Sequence, residues 1–157
     1  MENRSKGVAQ KTNTPTLQNP VPPAQRIIEV SAGLVFRDGR LLITQRHHAA
    51  HLGGLWEFPG GKRERDESFA DCLRRELREE LGIEVEVHEV IESLTHDYPE
   101  KSVRLEFFRC TWRQHEPQAL GCPAFRWVRR EELDGFEFPA ADARLLVKLR
   151  ATSEWWH

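Results

Sequence analysis

The chain is poor in cysteine, methionine and tyrosine, with three, one and one among 157 residues. Cys72, Cys110 and Cys122 are odd in number and fit neither a disulfide framework nor a metal-ligand spacing, so they read as reduced thiols. Long apolar runs are missing: nothing approaches the roughly 20 apolar residues of a membrane-spanning helix, and the first residues carry no apolar signal core. A cytoplasmic protein without a membrane partner is the expectation. There is no excess of one charge either. With 23 basic against 25 acidic residues and a net charge of −2, the chain lacks the footprint of a protein that coats a polyanion, so no polymeric nucleic acid is expected as partner. Internal repeats are absent.

What is present is a chain 39% hydrophobic, enough for one packed domain. Residues 1–25 mix Ser, Thr, Asn, Gln and Lys with four prolines. They have little apolar surface to bury and read as a disordered or extended arm, with an inert leader as the preferred role. Residues 26–151 form the expected domain. Residues 152–157 form a short tail, whose Trp155-Trp156-His157 is a candidate to dock on the domain or on a partner.

Ile27, Ile28, Val30, Ala32, Leu34, Val35 and Phe36 predict a strand, and Asp38-Gly39 a hairpin turn into Leu41-Leu42-Ile43-Thr44. After a polar loop, Trp56-Glu57-Phe58 reads as a short extended piece stopped by Pro59-Gly60-Gly61. Long strands are predicted over residues 84–94 and 102–110, another over 125–128, and a final helix over 140–149. This order predicts a mixed sheet with helices on its faces, an α/β fold.

Between these lies GGKRERDESFADCLRRELREELGI, Gly60 to Ile83. Ser68 with Asp71 reads as an N-cap. Ala70, Leu73, Leu77 and Leu81 form one helical stripe, and Gly82 reads as a left-handed C-cap. Glu76, Glu79 and Glu80 fall within an arc of about 100° beside that stripe. Like charges so placed cost a helix a few tenths of a kcal/mol. Either Arg74, Arg75 and Arg78 compensate on a solvated face, or a divalent metal relieves the repulsion beside a glycine loop with free carbonyls.

The full spacing decides between the two. Gly61, Glu67, Arg75-Glu76-Leu77, Arg78, Glu79-Glu80, Leu81 and Gly82-Ile83 match the signature of the Nudix hydrolases at every fixed position. Chance agreement at one starting point is on the order of one in a hundred million. Gly54-Leu55-Trp56-Glu57-Phe58-Pro59-Gly60-Gly61-Lys62 resembles the entry segment of the MutT-type branch. Thr44-Gln45-Arg46 resembles its first-hairpin arginine, and Phe138-Pro139-Ala140-Ala141-Asp142 its base-meeting loop. A related domain in a DNA-repair adenine glycosylase usually lacks the metal box that is intact here.

The resemblance implies a Nudix α/β/α sandwich with a mixed sheet and an enzyme that hydrolyses nucleoside triphosphates to monophosphate and pyrophosphate. The cofactor would be Mg²⁺, with Mn²⁺ as a substitute. Sanitation of the nucleotide pool would follow, in the service of DNA replication and repair, with 8-oxo-dGTP the favoured substrate. Cytidine triphosphates, ADP-sugars and dinucleoside polyphosphates are the enzymatic alternatives, and a non-catalytic nucleotide-binding regulator is the alternative of another class. The resemblance carries over a metal set of Gly60, Glu76, Glu79 and Glu80. It gives a catalytic set of Glu79, Glu80, Glu76, Glu67 and Arg75, in which Glu67 and Arg75 brace the loop and Glu79 or Glu80 orients the water. Arg46, Phe58, Trp56, Asp142, Gly60, Gly61 and Lys62 are the candidate substrate residues. The working form is a monomer or homodimer.

Two departures stand out. Residues 119–124 lack the acid that MutT-type proteins often carry before the last strand, and Glu116 or Asp97 is the expected substitute. Asp142 stands where bacterial MutT has asparagine. Ionised, it accepts from guanine N1 and N2 or cytosine N4; protonated, it donates to a base carbonyl. It also reads as a cap for the last helix. Trp56 and Phe58 suit either base stacking or a short strand's core. His47, His48 and His51 lack a fourth ligand at a usual spacing and read as loop residues.

Overall fold

The computed structural model describes residues 26–157; the expected arm of residues 1–25 lies outside them. One mixed seven-stranded sheet organises the chain. Strand β1 (Arg26–Arg37) turns through Asp38 and Gly39 into antiparallel β2 (Arg40–Gln45). Both turn residues have positive φ, 49° and 74°, as a hairpin whose twist matches its strands requires. Next come β3 (Trp56–Glu57) and β4 (Gly60–Lys62), helix α1 (Phe69–Leu81), β5 (Glu84–Asp97), β6 (Lys101–Gln114), β7 (Phe125–Arg129) and helix α2 (Ala143–Ala151). The order is β3-β2-β1-β6-β5, with β4 added to β1 and β7 to β2. Only β1 and β6 run parallel.

Alternation along the strands builds two cores. Leu34, Phe36, Leu41, Ile43 and Phe107 face one side, with Leu145 and Leu149 of α2. Val35, Leu42 and Phe108 face the other, with Leu73, Leu77 and Leu81 of α1. The helices therefore cover opposite faces, giving three layers. Helix α1 starts where its sequence says: Ser68 Oγ accepts from the Asp71 N–H at 3.0 Å. Gly82 ends it at φ 68°, its N–H bonded to the Arg78 carbonyl. Cys72 joins the buried stripe, whereas Ala70 at its edge is only partly buried.

Some expectations need correction. Gly60-Gly61 does not stop the chain but forms β4 against β1, with Gly60 opposite Ala32. A Cβ on Gly60 would lie 1.9 Å from the Ser31 carbonyl oxygen, so only glycine permits this pairing. The long strands β5 and β6 extend further than their apolar cores because they pair with each other along their exposed ends. Helix α2 begins at Ala143 after a short 3-10 turn, Ala140–Asp142. The tail folds onto the domain: Trp156 is 4% exposed, meets Phe36 edge-on at 5.2 Å and donates from its indole to the Leu149 carbonyl at 2.9 Å. Trp156→Ala is expected to cost about 3–5 kcal/mol, read as a lower urea midpoint at unchanged m-value.

Candidate active site

One guanidinium joins the glycine-rich turn to α1. Arg75 Nε and Nη2 grip the Glu67 carboxylate at 3.0 and 2.7 Å, and Nη2 also donates to the Lys62 carbonyl at 3.0 Å. Its Nη1 reaches Glu76 at 3.0 Å and Glu79 at 3.2 Å. The Glu67 carboxylate accepts the Glu64 N–H as well, at 2.7 Å. Arg75 first, then that backbone bond, hold the Glu67 carboxyl down to about 2.

The helix carboxylates are not an evenly exposed row. The Glu76 side chain is 15% exposed and that of Glu79 60%. Glu76 lies beneath Gly61, where an added Cβ would fall 2.2 Å from its carboxyl carbon. Burial pushes Glu76 up while Arg75 pulls it down. Glu80 has no cationic partner among the described residues. Burial first, then Glu76, Glu57 and Glu79, push it up to about 8.

Glu57 is the site residue that the sequence reading passed over. Strand alternation sends Trp56 and Glu57 to opposite faces of β3. Trp56 meets Phe136 edge-on at 5.2 Å and does not line the cleft, whereas Glu57 does and pairs with Arg46 Nη1 at 2.7 Å. Glu57 is also a cause of the raised values of Glu80 and Asp142. The available signal was that alternation: a carboxylate between two aromatic residues, just before the glycine pair.

Arg46, Phe58, Gly60, Gly61, Lys62 and Asp142 all line the same cleft, of about 480 Å³, a volume typical of small-molecule sites. Phe58 forms a wall, stacked on Phe138 at 5.2 Å and edge-on to Phe107 at 6.0 Å. Arg46 is held from the side by the His51 carbonyl at 2.8 Å. Asp142 is 8% exposed. Although it occupies the N-cap position of α2, its side chain makes no capping bond, so the capping expectation fails and the carboxylate is left to the cleft. Burial, then Glu57, raise it to about 6 against the opposing pull of Arg46.

The loop without an acid packs on the end of α1. The Leu120 and Gly121 N–H groups both donate to the Glu80 carbonyl at 3.0 Å, and His47 Nε2 meets the Gly121 carbonyl at 3.1 Å. Neither expected substitute reaches the site. Glu116 pairs with Arg37 at 2.8 Å, and Asp97 accepts from Ser102 at 2.6 Å. Glu57 is the additional carboxylate that acts on Glu80.

A family model for the NUDIX domain matches residues 31–148. The chain is a Nudix hydrolase. It is 40% identical over 131 residues to the CTP pyrophosphohydrolase of Escherichia coli K12, covering 80% of this chain and 93% of that one. It is 36% identical over 96 residues to the 8-oxo-dGTP diphosphatase of Proteus vulgaris, covering 60% and 86%. The solution structure of the E. coli ORF135 protein superposes with a TM-score of 0.69 at 37% identity, covering 81% and 91%.

Nudix hydrolases use divalent metal ions. Among the described residues no three His, Cys, Asp or Glu side chains form a ready-made cage, and Glu76 and Glu79 are paired with Arg75. The donor set nevertheless fits a hard cation. It is all oxygen, and Glu80 itself has no cationic partner among the described residues while Glu76, Glu57 and Glu79 raise its proton affinity, which suits an oxygen-ligand site.

The electrostatics of Glu80 give a test without substrate. Its folded value, about 8, lies above the ordinary 4.5. The folded state thus holds a proton that the unfolded state loses, and stability falls as pH rises from about 4.5 to 8. In metal-free protein, Glu80→Gln is expected to raise the melting temperature at pH 9 and to change it little at pH 4.5. Equal effects at both pH values would contradict the crowded-carboxylate account.

Proposed function

We propose that this Nudix hydrolase is a Mg²⁺-dependent nucleoside-triphosphate pyrophosphohydrolase that sanitises the cytoplasmic nucleotide pool, with 8-oxo-dGTP the favoured substrate. One observation carries the reading. A single cleft holds Glu57 with its partner Arg46, the aromatic wall of Phe58 and the buried carboxylate of Asp142, and Glu57 also acts on Glu80 of the helix carboxylates. Such a cleft suits a molecule with a metal-bound polyphosphate at one end and a hydrogen-bonding base at the other.

In this reading Glu76, Glu79, Glu80 and the Gly60 carbonyl hold Mg²⁺, for which Mn²⁺ can substitute. When bound, the metal neutralises phosphate charge and acidifies water. Arg46, fixed by Glu57 and the His51 carbonyl, presents a permanent cation to the phosphates or base edge. Glu67 and Arg75 keep the turn and helix in register. Glu79 or Glu80 takes the proton of the attacking water. Phe58 offers a flat apolar wall to the base. Asp142, above its titration near 6, accepts from guanine N1 and N2.

A second reading, cytidine triphosphates, is favoured by the same carboxylate, which equally accepts from cytosine N4, and by the name of the E. coli relative. Pyrophosphate release with Mg²⁺ across normal and oxidised triphosphates separates the two. Preference for 8-oxo-dGTP supports the first, preference for cytidine nucleotides the second, and no release from any triphosphate rejects both. Glu79→Gln and Glu80→Gln are each expected to lower kcat by about 100-fold or more, in line with losses of electrostatic groups at reacting centres, with circular dichroism unchanged. Asp142→Asn is expected to change the ratio of kcat/KM values between guanine and cytosine substrates, whereas an equal loss on both would deny Asp142 the base.

A further inference from the structure

The turn that carries Asp142 leads directly into α2. Asp142 makes no side-chain cap, and its N–H bonds only one turn back, to the Pro139 carbonyl at 3.0 Å. Its place in the cleft therefore follows the place of the helix. Leu145 and Leu149 sink α2 into the core, 1% and 0% exposed, but the burial of apolar surface is itself non-directional.

Polar ties add direction: toward its C-terminal end α2 accepts the Trp156 indole at the Leu149 carbonyl and pairs Arg150 with Asp134 at 2.6 Å, and its face toward β5 is tied by Glu92. Glu92 of β5 is only 7% exposed, yet its carboxylate meets Lys148 Nζ at 2.5 Å and Arg144 Nε at 3.5 Å. Lys148 also donates to the neighbouring Ile91 carbonyl at 3.3 Å. Arg144 and Lys148 stand one turn apart on the same helix face, and both ion pairs run to one oxygen of the buried carboxylate, Glu92 Oε2. The β5–β6 register shifts between Val90 and Glu92, the kind of irregularity that re-aims a side chain. Only the carboxylate is buried, while the Lys148 and Arg144 side chains are 37% and 74% exposed; such a pair adds little net stability, and its use here is to favour one helix position.

We infer that Glu92 is a positioning residue: with Lys148 and Arg144 it sets α2 so that Asp142 presents its carboxylate to the base. Glu92 is not among the residues lining the cleft and acts only through the helix. The inference rests on the nucleotide reading of the cleft. The test uses Glu92→Gln, and the double variant Glu92→Met with Lys148→Met, which removes both charges and is expected to stay folded. For both, KM for the preferred triphosphate is expected to rise about 10-fold with kcat changed less than about 3-fold, and discrimination between guanine and cytosine to narrow. Lys148→Arg, which keeps the pair, should behave as the parent. Unchanged discrimination in the folded double variant, or a uniform fall in kcat, overturns the inference. A readout free of nucleotide separates it from the assignment of substrate. In ¹⁵N spectra of ligand-free Glu92→Gln, the Asp142 and Ala143 amide signals should move while those of Glu79 and Glu80 stay. Unmoved Asp142 signals overturn the positioning role, whereas a parent enzyme inert toward every triphosphate overturns only the nucleotide reading.

Discussion

The site depends on the Arg75 guanidinium. A planar, permanently charged fork can serve several acceptors at once, and here it holds Glu67, Glu76, Glu79 and the Lys62 carbonyl together. Those four groups come from β4, the turn after it and two levels of α1. Without the fork, the turn and helix would keep their apolar packing, the Ser31 bond to the Phe69 carbonyl at 2.7 Å and the Arg63 bond to the Glu67 carbonyl at 2.7 Å, but the carboxylates would repel. With it, the Glu76 carboxylate tucks under Gly61, a contact only a residue without Cβ allows.

The same fork creates an asymmetry. Arg75 neutralises one flank of α1 and leaves the other, at Glu80, with carboxylate neighbours only. Glu57, itself paired with Arg46, acts on both Glu80 and Asp142. The cleft thus has a fixed arginine paired with Glu57 and a buried carboxylate, Asp142, with the helix carboxylates adjoining through Glu57. Charge, rather than shape, gives it a direction, because groups desolvated together interact more strongly than they would in water.

The loop at residues 119–124 illustrates how position substitutes for residue type. It carries no acid, yet it packs its N–H groups on the Glu80 carbonyl and so closes the end of the helix. The carboxylate near Glu80 comes instead from β3, a strand of two residues. Chemistry expected from one loop is delivered by a different element that the sheet brings to the same place.

Local rules were enough for much of this. The caps at Ser68 and Gly82, the Asp38-Gly39 turn, the leucine stripe of α1 and the spacing of Gly61, Glu67, Arg75 and the helix glutamates are short-range features, each decided by residues within a few positions. They made α1, the hairpin and the family legible from the sequence. What the sequence could not decide involves residues far apart in the chain. Whether Trp56 or Glu57 faces the cleft, whether Asp142 caps a helix or lines a wall, and whether Glu116 or Asp97 reaches the site all depend on how β3, α2 and the long strands meet. Those placements follow from burial and charge pairing across the sheet. The partners of Trp56 and Glu116, Phe136 and Arg37, become neighbours only once the whole fold has formed, whereas those of Glu57 and Asp97, Arg46 and Ser102, lie on the adjoining antiparallel strands or their ends.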